Sequence, residues 1–199
     1  MATIGLSKPY YAKYSNDGNS VTYSGGGLLG KAVELSMELE GAEDNVLYAD
    51  NGPAESDNQF AGGTLNITTD DLLPQPTADI LGLTLQELTN EDITTSEPKE
   101  LVFGDSQVIP YVGFGVIVKK KQNKIIKWLG LVYPKVQFSN PGIAATTQGE
   151  TIEWQTPELS ATILRDDTDA HNWCRYALLD TEADAETYVK TLLNIVEGP

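Results

Sequence analysis

The chain has 199 residues, 29 acidic and 13 basic side chains and a formal charge of −16. Its single Cys174 and single His171 exclude an internal disulfide framework and zinc sites built from several Cys or His ligands. The acidic balance argues against a surface that grips nucleic acid by its phosphates, because such surfaces are basic.

The length favours one domain, 1–199. No stretch approaches the ~20 apolar residues of a membrane span. Residues 1–10 contain Lys8 and Pro9 and lack the apolar run of a signal peptide. The expectation is folding in a cytoplasm, where one free thiol stays reduced. Gly25-Gly26-Gly27 reads as a flexible linker into a strand. Val33, Leu35, Met37 and Leu39 then alternate with Glu34, Ser36, Glu38 and Glu40. That period predicts a half-buried strand with one wet face. Residues 41–63 break the pattern. They are dense in Gly, Asn, Asp, Pro and Ser around the apolar Val46-Leu47-Tyr48. Loops of this length are usually functional or disordered. Leu65 and Ile67 alternate with Thr64, Asn66 and Thr68 as a second strand.

A short helix is predicted over 76–81, with Pro76 at its first position and Gly82 as its C-terminal cap. A polar connector, 91–100, follows. Val112, Phe114, Val116 and Val118 form one face of a third strand, with Gly113 and Gly115 on the other, where a neighbour approaches closely. The β-branched and aromatic run 125–138 reads as its return strand, with 119–124 as the polar turn. Residues 151–164 alternate through Ile152 and Trp154, then shift phase to Leu159, Ala161 and Ile163. Pro157 at the shift predicts a bulge or an edge. A final strand is predicted over 171–178. The helix 182–196 buries a stripe of Ala185, Tyr188, Val189, Leu192, Leu193 and Val196, with Asp180 or Thr181 as its cap. The fold class is therefore mainly antiparallel β, a sandwich or barrel-like sheet with a flanking helix and a C-terminal helix.

The motifs yield little chemistry. Gly25 to Lys31 fits G-x-x-x-x-G-K, but Ala32 replaces the Ser or Thr that would meet Mg²⁺, and a strand follows instead of a helix. Asp166-Asp167-Thr168-Asp169 lacks the Gly and Glu positions of a calcium loop and reads as a solvated turn. On an extended segment His171 and Cys174 face opposite sides, so they form no catalytic pair. Trp128, Trp154 and Trp173 lie in predicted strands and read as core. No catalytic, cofactor-binding or metal-binding residue is assigned, and no cofactor is expected. Charge is uneven: residues 1–100 carry 17 acids against 4 bases, and residues 101–199 carry 12 against 9. Lys119, Lys120, Lys121 and Lys124 cluster at the expected hairpin tip. They read as a solvated turn or as a contact with an acidic surface on another copy.

The whole pattern resembles the major tail proteins, or tail tube proteins, of long-tailed, non-contractile bacteriophages. The resemblance rests on the opening Ile4-Gly5-Leu6-Ser7-Lys8-Pro9-Tyr10-Tyr11-Ala12-Lys13-Tyr14 and on Gly25-Gly26-Gly27. It continues through the acidic strand at 32–39, Leu47-Tyr48-Ala49-Asp50-Asn51, Gly63-Thr64-Leu65, Val112-Gly113-Phe114-Gly115 and Tyr133-Pro134-Lys135-Val136. It covers nearly the full chain. The resemblance implies a β-sandwich assembled as hexameric rings, stacked into a virion tube that conducts DNA without binding it specifically. It implies no catalytic residues and no membrane. The implied partners are other copies and the tape-measure, tail-terminator or tail-tip proteins. An N-terminal arm, about 1–27, and a long assembly loop, about 41–63 and including Val46, Leu47, Tyr48, Asp50 and Asn51, would make the contacts. The alternatives are a tube subunit of a related secretion or injection system, or an acidic carbohydrate-binding or hydrolytic β-domain. An exposed aromatic platform or a carboxylate pair in a cleft would mark the last of these.

Overall fold

The computed structural model describes residues 1–18, 20–41, 45–49, 52–57, 60–88, 93, 99–142, 147 and 155–196. The chain is mainly antiparallel β with two helices. The main sheet contains β1 (Ala2–Asn16), β2 (Val21–Leu28), β3 (Ala32–Gly41), β6 (Phe60–Thr69), β9 (Val112–Gln122), β10 (Ile125–Phe138), β11 (Glu158–Leu164) and β12 (Arg175–Leu179). Its strand order is β2-β1-β9-β10-β11-β6-β3, with β12 added to β10. Two separate ladders are formed by β4 (Asn45–Ala49) with β5 (Gly52–Asp57), and by β7 (Thr84–Glu87) with β8 (Lys99–Val102). The helices are α1 (Pro74–Leu81) and α2 (Glu182–Leu192).

The sheet curls, so that β1 and β3 approach each other from opposite ends of the strand order. Inside the curl lies the larger core, with Leu65, Ile67, Phe114, Val116, Tyr133, Val136, Phe138, Leu159 and Ile163. Ile80 and Leu81 of α1 join this core. Asp79 ties α1 to β1, accepting from the Tyr11 hydroxyl at 2.8 Å and pairing with Lys13 at 2.7 Å. α1 begins at Pro74, two residues before its predicted start, and Gly82 caps it in the left-handed region at φ 64°. A side chain at Gly82 would strike the Val108 carbonyl at 2.1 Å, so glycine is required for space as well as for conformation.

On the outer face, α2 lies across β9 and β10, and the expected close approach at Gly113 and Gly115 is met by its side chains. A Cβ at Gly113 would sit 2.5 Å from Leu193 Cδ2, and one at Gly115 would sit 2.5 Å from Val189 Cγ1. Gly130 on β10 adds a third site, 2.8 Å from the Tyr188 ring, and Gly26 on β2 a fourth, 2.7 Å from Ile195. This second core joins Ala185, Val189 and Leu193 to Tyr10, Ala12, Ile117 and Val132. Both faces of β9 are covered as a result, and every residue of its first seven is buried.

Several sequence expectations are corrected. Gly25, Gly26 and Gly27 belong to β2 and are not a flexible linker. α2 ends at Leu192, because Asn194 turns into the left-handed region at φ 49° and donates its side-chain amide to the Tyr23 carbonyl. Val196 is thus 83% exposed and outside the stripe. Thr181 is the cap: its hydroxyl accepts from the Asp184 amide at 3.1 Å and donates to the Asp184 carboxylate at 2.7 Å. The last strand starts at Arg175, because His171 is held in a turn at φ 47°. Pro157 immediately precedes β11 and sits in no bulge of it, and the expected stretch around Ile152 and Trp154 lies outside the described residues. The two segments around the long insertion, β3 and β6, extend further than expected, to Gly41 and from Phe60.

The glycine floor yields a direct test. Gly115→Val should destabilise the fold by about 1–3 kcal/mol through overpacking against Val189 and Leu193. Gly104→Ala, where nothing lies within 4 Å, should be nearly neutral. Urea unfolding midpoints measure both, and Val189→Ala should relieve part of the cost of Gly115→Val.

Candidate assembly surfaces

Of the residues singled out by sequence, those among the described residues fall on two hairpins. Val46, Leu47 and Tyr48 lie on β4, where the backbone pairs them with Ser56, Glu55 and Pro53 of β5. The insertion therefore carries a β-hairpin and is not one continuous loop. Asp50 and Asn51 lie outside the described residues. The hairpin leaves the main sheet between Gly41 and Phe60, which are themselves cross-strand partners. The segment read as an N-terminal arm forms β1 and β2 of the main sheet.

The lysines are placed differently from expectation. β9 continues through Gln122, so Lys119, Lys120 and Lys121 are strand residues, paired across to Trp128, Lys127 and Ile126. The turn itself is Asn123-Lys124, with φ of 49° and 68°. Two successive left-handed residues fit the tight turn that matches the twist of a hairpin. The strand outlasts the apolar run because β1 pairs alongside it, Ala2 with Lys121 and Thr3 with Lys120. Lys119 lies over the half-buried Trp128 ring at 4.9 Å. Lys121 and Lys124 are exposed, and none of the four lysines pairs with a carboxylate among the described residues. Beside them, Ile125 and Ile126 are exposed, a feature hidden in the sequence because both sit in an apolar run.

β3 departs from the half-buried strand its alternation predicted. Leu35 packs against the core, but Val33, Met37 and Leu39 are 54%, 40% and 49% exposed. They share a face with buried Leu65 and Ile67, since Met37 pairs with Leu65 and Leu35 with Ile67. Position at the end of the strand order leaves that face uncovered. The Tyr133 hydroxyl reaches across the core to donate to Met37 Sδ at 3.1 Å. Between β1 and β3 runs a cleft of 580 Å³, lined by Ile4, Leu6, Val33, Glu34, Leu35 and Lys120 among others.

The other motifs are used internally. Lys31, the lysine of the G-x-x-x-x-G-K match, pairs with Asp70, whose side chain also accepts from the Lys31 amide at 2.8 Å. Asp166 is buried instead of solvated. Its carboxylate accepts from the Thr168 hydroxyl at 2.7 Å and the Asn172 amide at 2.8 Å, and so organises the turn. Asp167 accepts from Tyr14 and from Lys135, both at 2.7 Å, and these bonds hold its carboxyl below the usual range. Cys174 packs against the larger core, and burial pushes its thiol up to about 11, which leaves it a weak nucleophile at neutral pH. Trp173 stacks on Phe60 at 4.5 Å with Arg165 over the other ring. Both aromatics are half-buried, so the pair is packing and not an open platform.

The strongest polar cluster joins β1 to α2 at Glu186. Its carboxylate accepts from the Tyr10 hydroxyl at 2.6 Å, from Lys190 at 2.6 Å, and from Lys8. Burial opposes its charge, but the bonds from Lys190, Lys8 and Tyr10 outweigh burial and hold the carboxyl at about 2. Lys8 sits at φ 52° within a register shift of β1, which turns it toward the helix. Tyr10 is pushed up to about 12 by burial and by the Glu186 carboxylate. The i,i+4 pair of Glu186 and Lys190 is local, but the sequence carries no signal for the part of the cluster on β1, because Tyr10 lies 176 and Lys8 178 residues from Glu186.

The chain matches no family model and no curated protein.

The Glu186 cluster predicts a pH dependence. A carboxyl whose folded value lies below its unfolded value stabilises the fold fully above the unfolded value and loses that contribution as pH falls through the folded one. With an ordinary value of 4.5 and a folded value of about 2, the loss falls between those limits. Glu186→Gln should lower stability at pH 7 by on the order of 1–2 kcal/mol and flatten the decline below pH 4.5 relative to wild type. Urea midpoints at pH 7, 4 and 3 measure the difference.

Proposed function

We propose that this chain is a structural subunit of a bacteriophage tail tube, acting through contacts with other copies of itself. The observation that carries the reading is β3: a ten-residue strand at the end of the sheet, with one backbone edge unpaired among the described residues and an apolar face left open. Such an edge is an aggregation hazard in a monomer and an assembly surface in a polymer. The resemblance of the chain to tail tube proteins supplies the kind of polymer. Copies join by heterologous contacts that close into hexameric rings, and the rings stack into a tube. Its partners are then the tape-measure and the terminator or tip proteins, and its place is the virion tail.

The charge of −16 supports the same reading. A wall of carboxylates repels DNA phosphates and lets DNA slide. Screening over ~10 Å at 0.1 M salt restricts the effect to carboxylates close to the lumen.

Negative-stain microscopy of the purified protein at high concentration tests the proposal, with rings or tubes as the expected outcome. A chain that stays monomeric at every concentration, even with an assembly initiator present, overturns it. The β4–β5 hairpin has its own test. Replacing residues 42–59 with a two-residue Asn-Gly turn should preserve the core, because Gly41 and Phe60 already face each other across the ladder. The variant should fold with a normal circular dichroism spectrum and fail to form tubes. Tubes from this variant would remove the hairpin from the assembly contacts.

A further inference from the structure

We propose that the β3 edge receives the tip of the β9–β10 hairpin from a second copy of this chain. The inference rests on the tube-subunit reading and names the contact that would link one copy to the next. The two surfaces are complementary in three respects.

First, both have backbone edges without a partner among the described residues. β3 pairs with β6 on one side only. At the tip, β10 joins β12 only from Trp128 onward, so Ile125, Ile126 and Lys127 pair with β9 alone. Antiparallel addition of one to the other would satisfy both rows of backbone groups. Second, both are apolar and uncovered. The edge offers Val33, Met37 and Leu39 on one face, and the tip offers Ile125 and Ile126, 57% and 41% exposed and on opposite faces of β10, so that one of the two meets that face. Third, their charges are opposite. Glu34, Glu38 and Glu40 of β3 are exposed and form no ion pair among the described residues, and neither do Lys121 and Lys124 of the tip.

Two copies of charge −16 repel at long range. Charges beyond about 10 Å are screened at 0.1 M salt, so the local pairing of unlike patches decides the contact. The occupant is a second copy because the chain's own tip pairs with β1 and β9 and not with β3. β1 faces the start of the β3 edge, Val33 to Leu35, across the 580 Å³ cleft, Lys120 and Glu34 line that cleft without an ion pair, and the edge from Met37 onward is left for another chain. Donor and acceptor are different strands, which makes the contact heterologous and suited to a ring.

Reciprocal charge reversal tests it in the full chain. One variant carries Lys121→Glu and Lys124→Asp, the second residue chosen because Asp tolerates a positive φ. The other carries Glu38→Lys and Glu40→Lys. All four sites are exposed, and thermal midpoints close to wild type confirm folding. Each variant alone should need roughly tenfold more protein for half-assembly in sedimentation velocity. An equimolar mixture should recover wild-type assembly, because each altered tip then meets an altered edge of opposite sign. Variants that assemble like wild type, or a mixture that stays dissociated, overturn this contact while leaving the tube reading intact. A wild-type chain that never assembles overturns both.

Discussion

The fold depends on a helix lying directly on backbone. Four glycines, Gly26, Gly113, Gly115 and Gly130, remove the side chains that would hold α2 and the residues just after it, Leu193 and Ile195, away from the sheet. Val189 and Leu193 descend into the space, and α2 caps the outer face of β1, β9 and β10. A strand with glycine at alternate positions would ordinarily be a poor one, since glycine gives up backbone entropy and packs nothing. Here the helix provides the packing. β9, covered on both faces and buried along its first seven residues, organises its neighbours β1 and β10. Glu186, on the same helix, adds a charged anchor to β1 through Tyr10 and Lys8.

That solution also determines what stays open. α2 covers one end of the strand order and α1 enters the larger core, tied to β1 through Asp79. Neither helix packs along β3. Among the described residues its apolar side chains meet the core chiefly at its start, through Ala32 and Leu35, and through the Tyr133 bond to Met37. Fully burying a large apolar side chain is worth about 1.5–3 kcal/mol relative to exposure. Val33, Met37 and Leu39, near half exposure, leave a substantial part of that unrealised. Any contact that completes the edge gains it, together with the backbone hydrogen bonds.

Much of the architecture was legible in the order of residues. Period-two alternation located β3, β6 and β9, and the stripe from Ala185 to Leu193 located α2. Gly113 and Gly115 announced a close approach, because glycine in a strand has few other reasons to be there. What alternation does not contain is neighbourhood. It predicted a buried face for β3, but burial of that face depends on a strand beyond β3 in the order, and none is present among the described residues. The lysines were misplaced for a related reason. Polarity suggested a turn at 119–124, whereas pairing with β1 to Lys121 and with β10 to Gln122 sustains the strand. Likewise His171 and Asn194 adopt positive φ, a local choice that apolar periodicity does not register. Of the candidate contacts, the tip was visible as a lysine cluster. The exposed isoleucines and the Glu186 cluster required the fold.

Charge placement separates stability from assembly. Acids that build the subunit are engaged: Asp79 with Tyr11 and Lys13, Asp167 with Tyr14 and Lys135, Glu186 with Tyr10, Lys8 and Lys190. Each couples β1 or β10 to an element distant in sequence. The unengaged acids of β3 and the unengaged lysines of the hairpin tip contribute little to the monomer, since exposed charges in water are worth less than about 1 kcal/mol even when paired. An excess of like charge destabilises the compact state through self-repulsion and keeps copies apart. Concentrating unlike patches on two exposed edges reverses that repulsion locally while the rest of the surface still discourages random association. A chain so strongly acidic can then associate with itself in one orientation and resist the others, which is the specificity an ordered polymer needs.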